Sequence, residues 1–169
     1  YRHKYGLSPF PVNPANKNPF GPWAEYQTDQ ITEDELRRQF GERPNAMIGI
    51  PTGERYRTLV IDCDTPEGYE AVQELLPDSI VMPVARTPRG GWHLYFRYPT
   101  GSGITIGSGL MPGVDFRGTG GYIIAPPSVK GNGKAYRWED GLALGEVEPG
   151  TVPEPLKKII SLYIGAGGA

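Results

Sequence analysis

The chain has 169 residues and a formal net charge of -2, enough length for one ordinary core, and a balance that excludes a generally basic nucleic-acid-coating protein while leaving room for a local positive groove. Its 24 glycines and 18 prolines punctuate runs of Val, Ile, Leu, Tyr and Trp, which argues for many strands and tight turns and against low-complexity disorder. One cysteine, Cys63, excludes an internal disulfide and a cysteine zinc cluster, and without a long apolar span or a secretory leader a soluble, cytoplasmic, non-membrane protein is expected.

Residues 1–23 have no period and are broken by Pro9, Pro11, Pro14 and Pro19, so they read as an extended arm whose abrupt opening predicts a helix before Tyr1. Thr32 and Glu35 form a capping box for a short helix with Leu36 and Phe40 on one face and Gly41 as its stop. Residues 46–50 and 58–64 read as strands, and Thr65 and Pro66 start a helix to about Leu76 with Tyr69, Val72 and Leu76 inward. Residues 80–86 and 92–98 read as strands joined by a hairpin loop at 87–91, and 114–117 and 122–125 as a second hairpin around the glycine turn at 118–121. A short strand at 136–138 and a terminal helix at 154–163, apolar along Leu156, Ile159, Ile160 and Tyr163, end the order before a flexible tail at 164–169. The expected class is α+β, a mixed and largely antiparallel sheet with flanking helices, in one domain over 1–169.

The chemistry sits in the middle third. Alternation along a strand puts Asp62 and Asp64 on one face and Leu59, Ile61 and Cys63 on the other. Two carboxylates at one spot are costly without a cation between them, and oxygen ligands suit magnesium or manganese. A helix-capping role is the plain alternative, weakened because Thr65 already supplies a cap. His93 shares a polar face with Tyr95 and Arg97; with only His3 besides, a histidine zinc site is excluded and His93 suits a phosphate or hydroxyl. Gly90 and Gly91 allow close backbone approach, and Arg86 and Arg89 supply charge for a triphosphate, although an ordinary hairpin with solvated arginines has the same composition. Asp115 and Arg117 share a face of a separate strand, so the set becomes one carboxylate pair plus a distant third, as a two-metal phosphoryl-transfer site requires. No phosphate loop of the ATPase type, dinucleotide turn or nucleophile elbow occurs.

In this order Asp62-Cys63-Asp64, Thr87-Pro88-Arg89-Gly90-Gly91-Trp92-His93, Gly113-Val114-Asp115-Phe116-Arg117-Gly118 and Gly120 to Ser128 resemble the motifs of the bifunctional primase-polymerase domain of the archaeo-eukaryotic primase superfamily. Phe10-Pro11-Val12, Lys17-Asn18-Pro19, Gly49 to Gly53 and Tyr136-Arg137-Trp138 resemble its flanks, so the likeness runs from about Phe10 to Trp138. The resemblance implies a two-module core with an RNA-recognition-like catalytic half and template-directed nucleotidyl transfer, as DNA primase or DNA polymerase. It implies Asp62, Asp64 and Asp115 as catalytic metal ligands for two magnesium or manganese ions. It further implies His93 on the incoming nucleotide's phosphates, with Arg86, Arg89, Arg117 and Lys17 on phosphate or template. DNA template and primer, NTP or dNTP, and a helicase or C-terminal accessory region outside this chain are the implied partners, in replication of a plasmid, phage or mobile element. Two alternatives stay open: a manganese glycosyltransferase whose Asp-x-Asp holds a sugar nucleotide, and a non-catalytic single-stranded nucleic-acid module stacking bases on Trp92, Tyr95 or Tyr122.

Overall fold

The computed structural model describes residues 1–168; Ala169, the last residue of the expected tail, lies outside the described residues. The class is α+β with antiparallel sheets, as expected, but there are two sheets. A short helical turn α1 (Arg2–Tyr5) precedes β1 (Phe10–Val12), α2 (Glu33–Gly41) and β2 (Met47–Pro51). Then follow β3 (Thr58–Cys63), α3 (Pro66–Gln73), and β4 (Val84–Arg86) with β5 (Trp92–Arg97). The chain closes with β6 (Ile106–Met111), β7 (Val114–Arg117), β8 (Tyr122–Ala125), β9 (Arg137–Trp138) and α4 (Glu154–Gly165). One sheet has three strands, ordered β1-β2-β8, and the other six, ordered β6-β7-β3-β5-β4-β9.

Period-two alternation divides the central strands between two cores. Leu59, Ile61, Cys63, Leu94, Phe96, Val114 and Phe116 pack with Val72 of α3 and Leu156 and Ile160 of α4. On the opposite face Val60, Ala85 and Tyr95 meet Ile50, Ile123 and Ala125 of the smaller sheet. Phe10, Val12, Met47 and Ile124 pack behind that sheet, with Leu36 of α2 against them. The layers therefore run α3 and α4, six-stranded sheet, three-stranded sheet, α2. Both expected caps form: Thr32 Oγ1 accepts from Glu35 N–H at 3.2 Å, and Thr65 Oγ1 from Gly68 N–H at 3.1 Å.

Several expectations are corrected. The expected extended arm contains β1, which pairs Phe10 with Gly49; Pro11 is tolerated because β1 is an edge strand and needs no second ladder of donors. The strand expected over 80–86 is only Val84–Arg86, because Pro83 lacks the N–H that would extend it. Helix α3 stops at Gln73, three residues before Leu76, while α4 continues to Gly165. The largest change concerns the second hairpin. Strands β7 and β8 belong to different sheets, and β7 instead forms its hairpin with β6, which two internal glycines, Gly107 and Gly109, conceal from a propensity reading. The glycine turn at 118–121 is thus a crossing between sheets: Gly118 N–H donates to Thr105 O at 2.7 Å, and Thr52 Oγ1 donates to Gly118 O at 2.6 Å.

Candidate active site

Asp62 is the centre of a row. Antiparallel register sets Asp62 opposite Asp115 of β7 on one side and opposite His93 of β5 on the other. All three lie on the face turned away from α3 and α4, since their neighbours Ile61, Phe116 and Leu94 belong to the helix-covered core. Like charges directly across a strand pair are destabilising, so the Asp62–Asp115 pairing is an arrangement that a cation would relieve.

The row is partly buried and incompletely satisfied. His93 Nε2 lies 3.2 Å from Asp62 Oδ1, yet Oδ1 and His93 Nδ1 are both buried without a hydrogen-bond partner. The approach is therefore close but off the line that a hydrogen bond needs. Burial pushes the Asp62 carboxyl up, but His93, Arg117 and Lys17 together outweigh it and hold the group below its ordinary value. Asp64, just past the end of β3, is pushed the other way by partial desolvation at the cleft and by the charges of Asp62 and Asp115. Asp64 thus feels the charge of both other carboxylates.

Two glycines bring the segments together. A Cβ on Gly91 would stand 2.5 Å from Cys63 O and 3.4 Å from Asp64 Cα, so only glycine lets the loop before β5 close on the strand end bearing the carboxylates. Gly113, at φ 75°, turns the β6–β7 hairpin against Thr65, and its carbonyl accepts Asp64 N–H at 2.8 Å. The hairpin that positions Asp115 is thereby tied to the segment that positions Asp64.

A cleft of about 440 Å³ opens over the row, lined by Asp62, Asp64, His93, Arg89, Arg117 and Lys17 among others. Of the residues expected at the site, these six are brought together. Asp115 is in register on the same face but is not among the residues that line the cleft: its Oδ1 accepts from Gly109 N–H at 2.9 Å and its Oδ2 lies 3.5 Å from Arg117. Among the described residues, no group of three or more His, Cys, Asp or Glu side chains is arranged to hold a metal ion as it stands. Arg86 is on the other face, paired with Trp92, stacked over its ring at 4.3 Å and donating to Gly91 O at 3.2 Å and Gly90 O at 3.1 Å. Gly90 and Gly91 also lie off the cleft wall, and their N–H groups already donate to Thr87 O at 3.0 Å and Thr87 Oγ1 at 2.9 Å.

Trp23 and Tyr136, which sequence reasoning did not assign to the site, line the wall together with Tyr122, which it offered only as a base-stacking surface of the non-catalytic alternative. Trp23 stacks on Phe10 at 5.2 Å and meets Tyr122 edge-on at 5.1 Å, while Tyr122 Oη donates to Lys17 O at 2.8 Å. Burial and the charges of Asp62 and Asp64 push the Tyr136 hydroxyl up to about 12. No local pattern marks Trp23, because the three-stranded sheet carries it over the cleft from a distant part of the chain.

The ordered motifs are matched by a family model described as bifunctional DNA primase/polymerase, N-terminal, over residues 1–155. The chain belongs to this family. It is accordingly a primase/polymerase-type nucleotidyltransferase of DNA replication, with DNA and nucleotides as substrates, which sets aside the sugar-nucleotide alternative. No curated protein matches the chain. No helix among the described residues is long and apolar enough to cross a membrane.

Proposed function

We propose that the cleft joins nucleotides on a DNA template, with Asp62, Asp64 and Asp115 as the ligands of magnesium or manganese. The observation that carries this reading is the row Asp115–Asp62–His93 across three adjacent strands, with a buried carboxylate oxygen of Asp62 left without a hydrogen-bond donor. The donors are oxygen atoms, as hard divalent ions prefer, and Asp62 is held in the ionised form a ligand needs. Asp115 would complete the set by exchanging its Gly109 N–H and Arg117 partners for the ion. When bound, the metal would supply Lewis acidity for the attacking 3′-hydroxyl and the departing pyrophosphate.

The protein's own groups then position and neutralise. Lys17, Arg89 and Arg117 come from three segments and line one cleft, so they can clamp triphosphate oxygens without forming part of the carboxylate set. His93 lines the cleft with Nε2 near the Asp62 carboxylate, and its buried, unpartnered Nδ1 would reach a phosphate only after a small rotation of the ring. Trp23 and Tyr122 present aromatic surface on the opposite wall, suited to a base or sugar. A binding module that only stacked bases would gain nothing from carboxylates facing a polyanion.

Primer extension tests the reading, using a primed template, ribo- or deoxyribonucleoside triphosphates, and magnesium or manganese. Wild-type protein extends the primer, and Asp62→Asn and Asp115→Asn do not while retaining cooperative unfolding. Normal extension by either folded variant removes the metal-ligand assignment.

A further inference from the structure

The glycine-rich turn Lys130-Gly131-Asn132-Gly133-Lys134 lies outside the cleft wall, and nothing above uses it. It is a built hairpin rather than a loose loop. Lys130 N–H donates to Lys134 O at 2.8 Å, Gly133 N–H to Lys130 O at 2.9 Å, and Lys134 N–H to Asn132 Oδ1 at 3.0 Å. Val129 and Ala135 bridge below it, and Tyr136 N–H donates to Ser128 O at 2.8 Å. Its base is fixed to the body of the protein: buried Ser128 accepts from Ile48 N–H at 2.7 Å, and the next residue after the bridge, Tyr136, lines the cleft.

The tip docks on the segment that carries Lys17. Gly131 N–H donates to Pro14 O at 3.0 Å, and the Asn13–Lys17 turn closes through Lys17 N–H to Asn13 O at 2.9 Å. Burial first, then Lys130 and Arg89, depress the Lys17 ammonium, which places these three cations within coulombic reach of one another. Among the described residues none of Lys17, Arg89, Lys130 and Lys134 has an ion-pair partner. Beside them Val129 is 47% exposed, an apolar side chain at the foot of a cationic tip. Cations without an ion-pair partner, gathered on one side of the cleft by the docked hairpin, form a local positive surface suited to a polyanion.

We infer that the hairpin at 128–136 is a nucleic-acid contact, in which Lys130 and Lys134 grip the sugar-phosphate backbone of the DNA strand leaving the cleft past Lys17. The inference rests on the proposed DNA-templated reaction and adds the surface that holds the polymer. The incoming nucleotide is held elsewhere, because Lys130 and Lys134 do not line the cleft. The contact reads no sequence, since lysine on phosphate carries none.

The test compares wild type, Lys130→Gln/Lys134→Gln and the control Lys157→Gln/Lys158→Gln, which removes the same charge from the side of α4 turned away from its buried Leu156 and Ile160. Fluorescence anisotropy with single-stranded DNA, blunt duplex and primed template is measured across salt concentrations, alongside the nucleotide KM in extension. The hairpin variant is expected to bind primed template about tenfold more weakly, with a salt slope smaller by about 1.4 to 1.8, as loss of two phosphate contacts requires. Its nucleotide KM and the control's DNA affinity stay at wild-type values. Loss confined to single-stranded and primed DNA assigns the contact to the template overhang; loss also on blunt duplex assigns it to the paired region. Unchanged DNA affinity, an equal loss in the control, or a raised nucleotide KM in place of weaker DNA binding overturns the inference. Wild-type protein that binds DNA but extends no primer would instead count against the proposed reaction, while leaving the hairpin comparison readable.

Discussion

The two faces of the six-stranded sheet are built from the same strands and do opposite work. Leu59, Ile61 and Cys63 turn toward α3 and α4 and are fully buried, whereas Asp62, between two of them, turns to the cleft with a carboxylate oxygen that has no donor. The same split runs through β5, with Leu94 against His93, and β7, with Phe116 against Asp115. A period of two lets one set of backbone hydrogen bonds carry both a close-packed core and an unsatisfied polar row. The stabilising face holds the costly face in place, so the two should come apart under mutation.

The largest effect is expected on the cleft face. Asp62→Ala lowers primer extension by about 10³-fold or more, since an aligned charge at a reaction centre is worth several kcal/mol. Its unfolding midpoint in urea stays near wild type, because relief of burial and of the repulsion with Asp115 offsets the attraction lost to His93, Arg117 and Lys17. On the helix-covered face, Phe116→Ala costs about 3–5 kcal/mol in denaturant unfolding, while the fraction that remains folded keeps its activity per molecule. A variant with intact stability and lost activity there would break the division. Gly91→Ala sits at the seam: its Cβ meets Cys63 O, so a loss of about 1–3 kcal/mol accompanies a clear fall in extension rate. Smallest is Arg86→Ala, which removes an anchor of the 87–91 loop on the helix-covered side. It costs about 1 kcal/mol of stability and leaves the nucleotide KM within about twofold of wild type. A large KM increase would place Arg86 in phosphate binding after all.

Much of this was legible in the chain. Caps at Thr32 and Thr65 and the alternation in 58–64 and 92–98 are local signals, and local hydrogen bonds and side-chain direction honour them. Strand β6 was not legible, because Gly107 and Gly109 remove the side chains that would mark it; Gly107 is instead required where Phe116 crosses. The expected pairing of 114–117 with 122–125 failed for a related reason. A glycine turn fits a hairpin and a crossing equally well, and only the competing partners, β6 for one strand and β2 for the other, decide between them.

The site divides in the same way. Motif order along the chain named the family and pointed to the three carboxylates proposed as ligands, and within-strand alternation placed each with its own neighbours. Register was another matter: that Asp115 stands opposite Asp62, that Arg86 follows Trp92 to the far face, and that Trp23 reaches the cleft all depend on which edges pair and at what offset. The sequence by itself determined the chemistry available and the period on which it is displayed. Tertiary structure alone decided which groups meet, because strand pairing is settled by burying two sheets and their helices together, and that energy is shared by residues far apart along the chain.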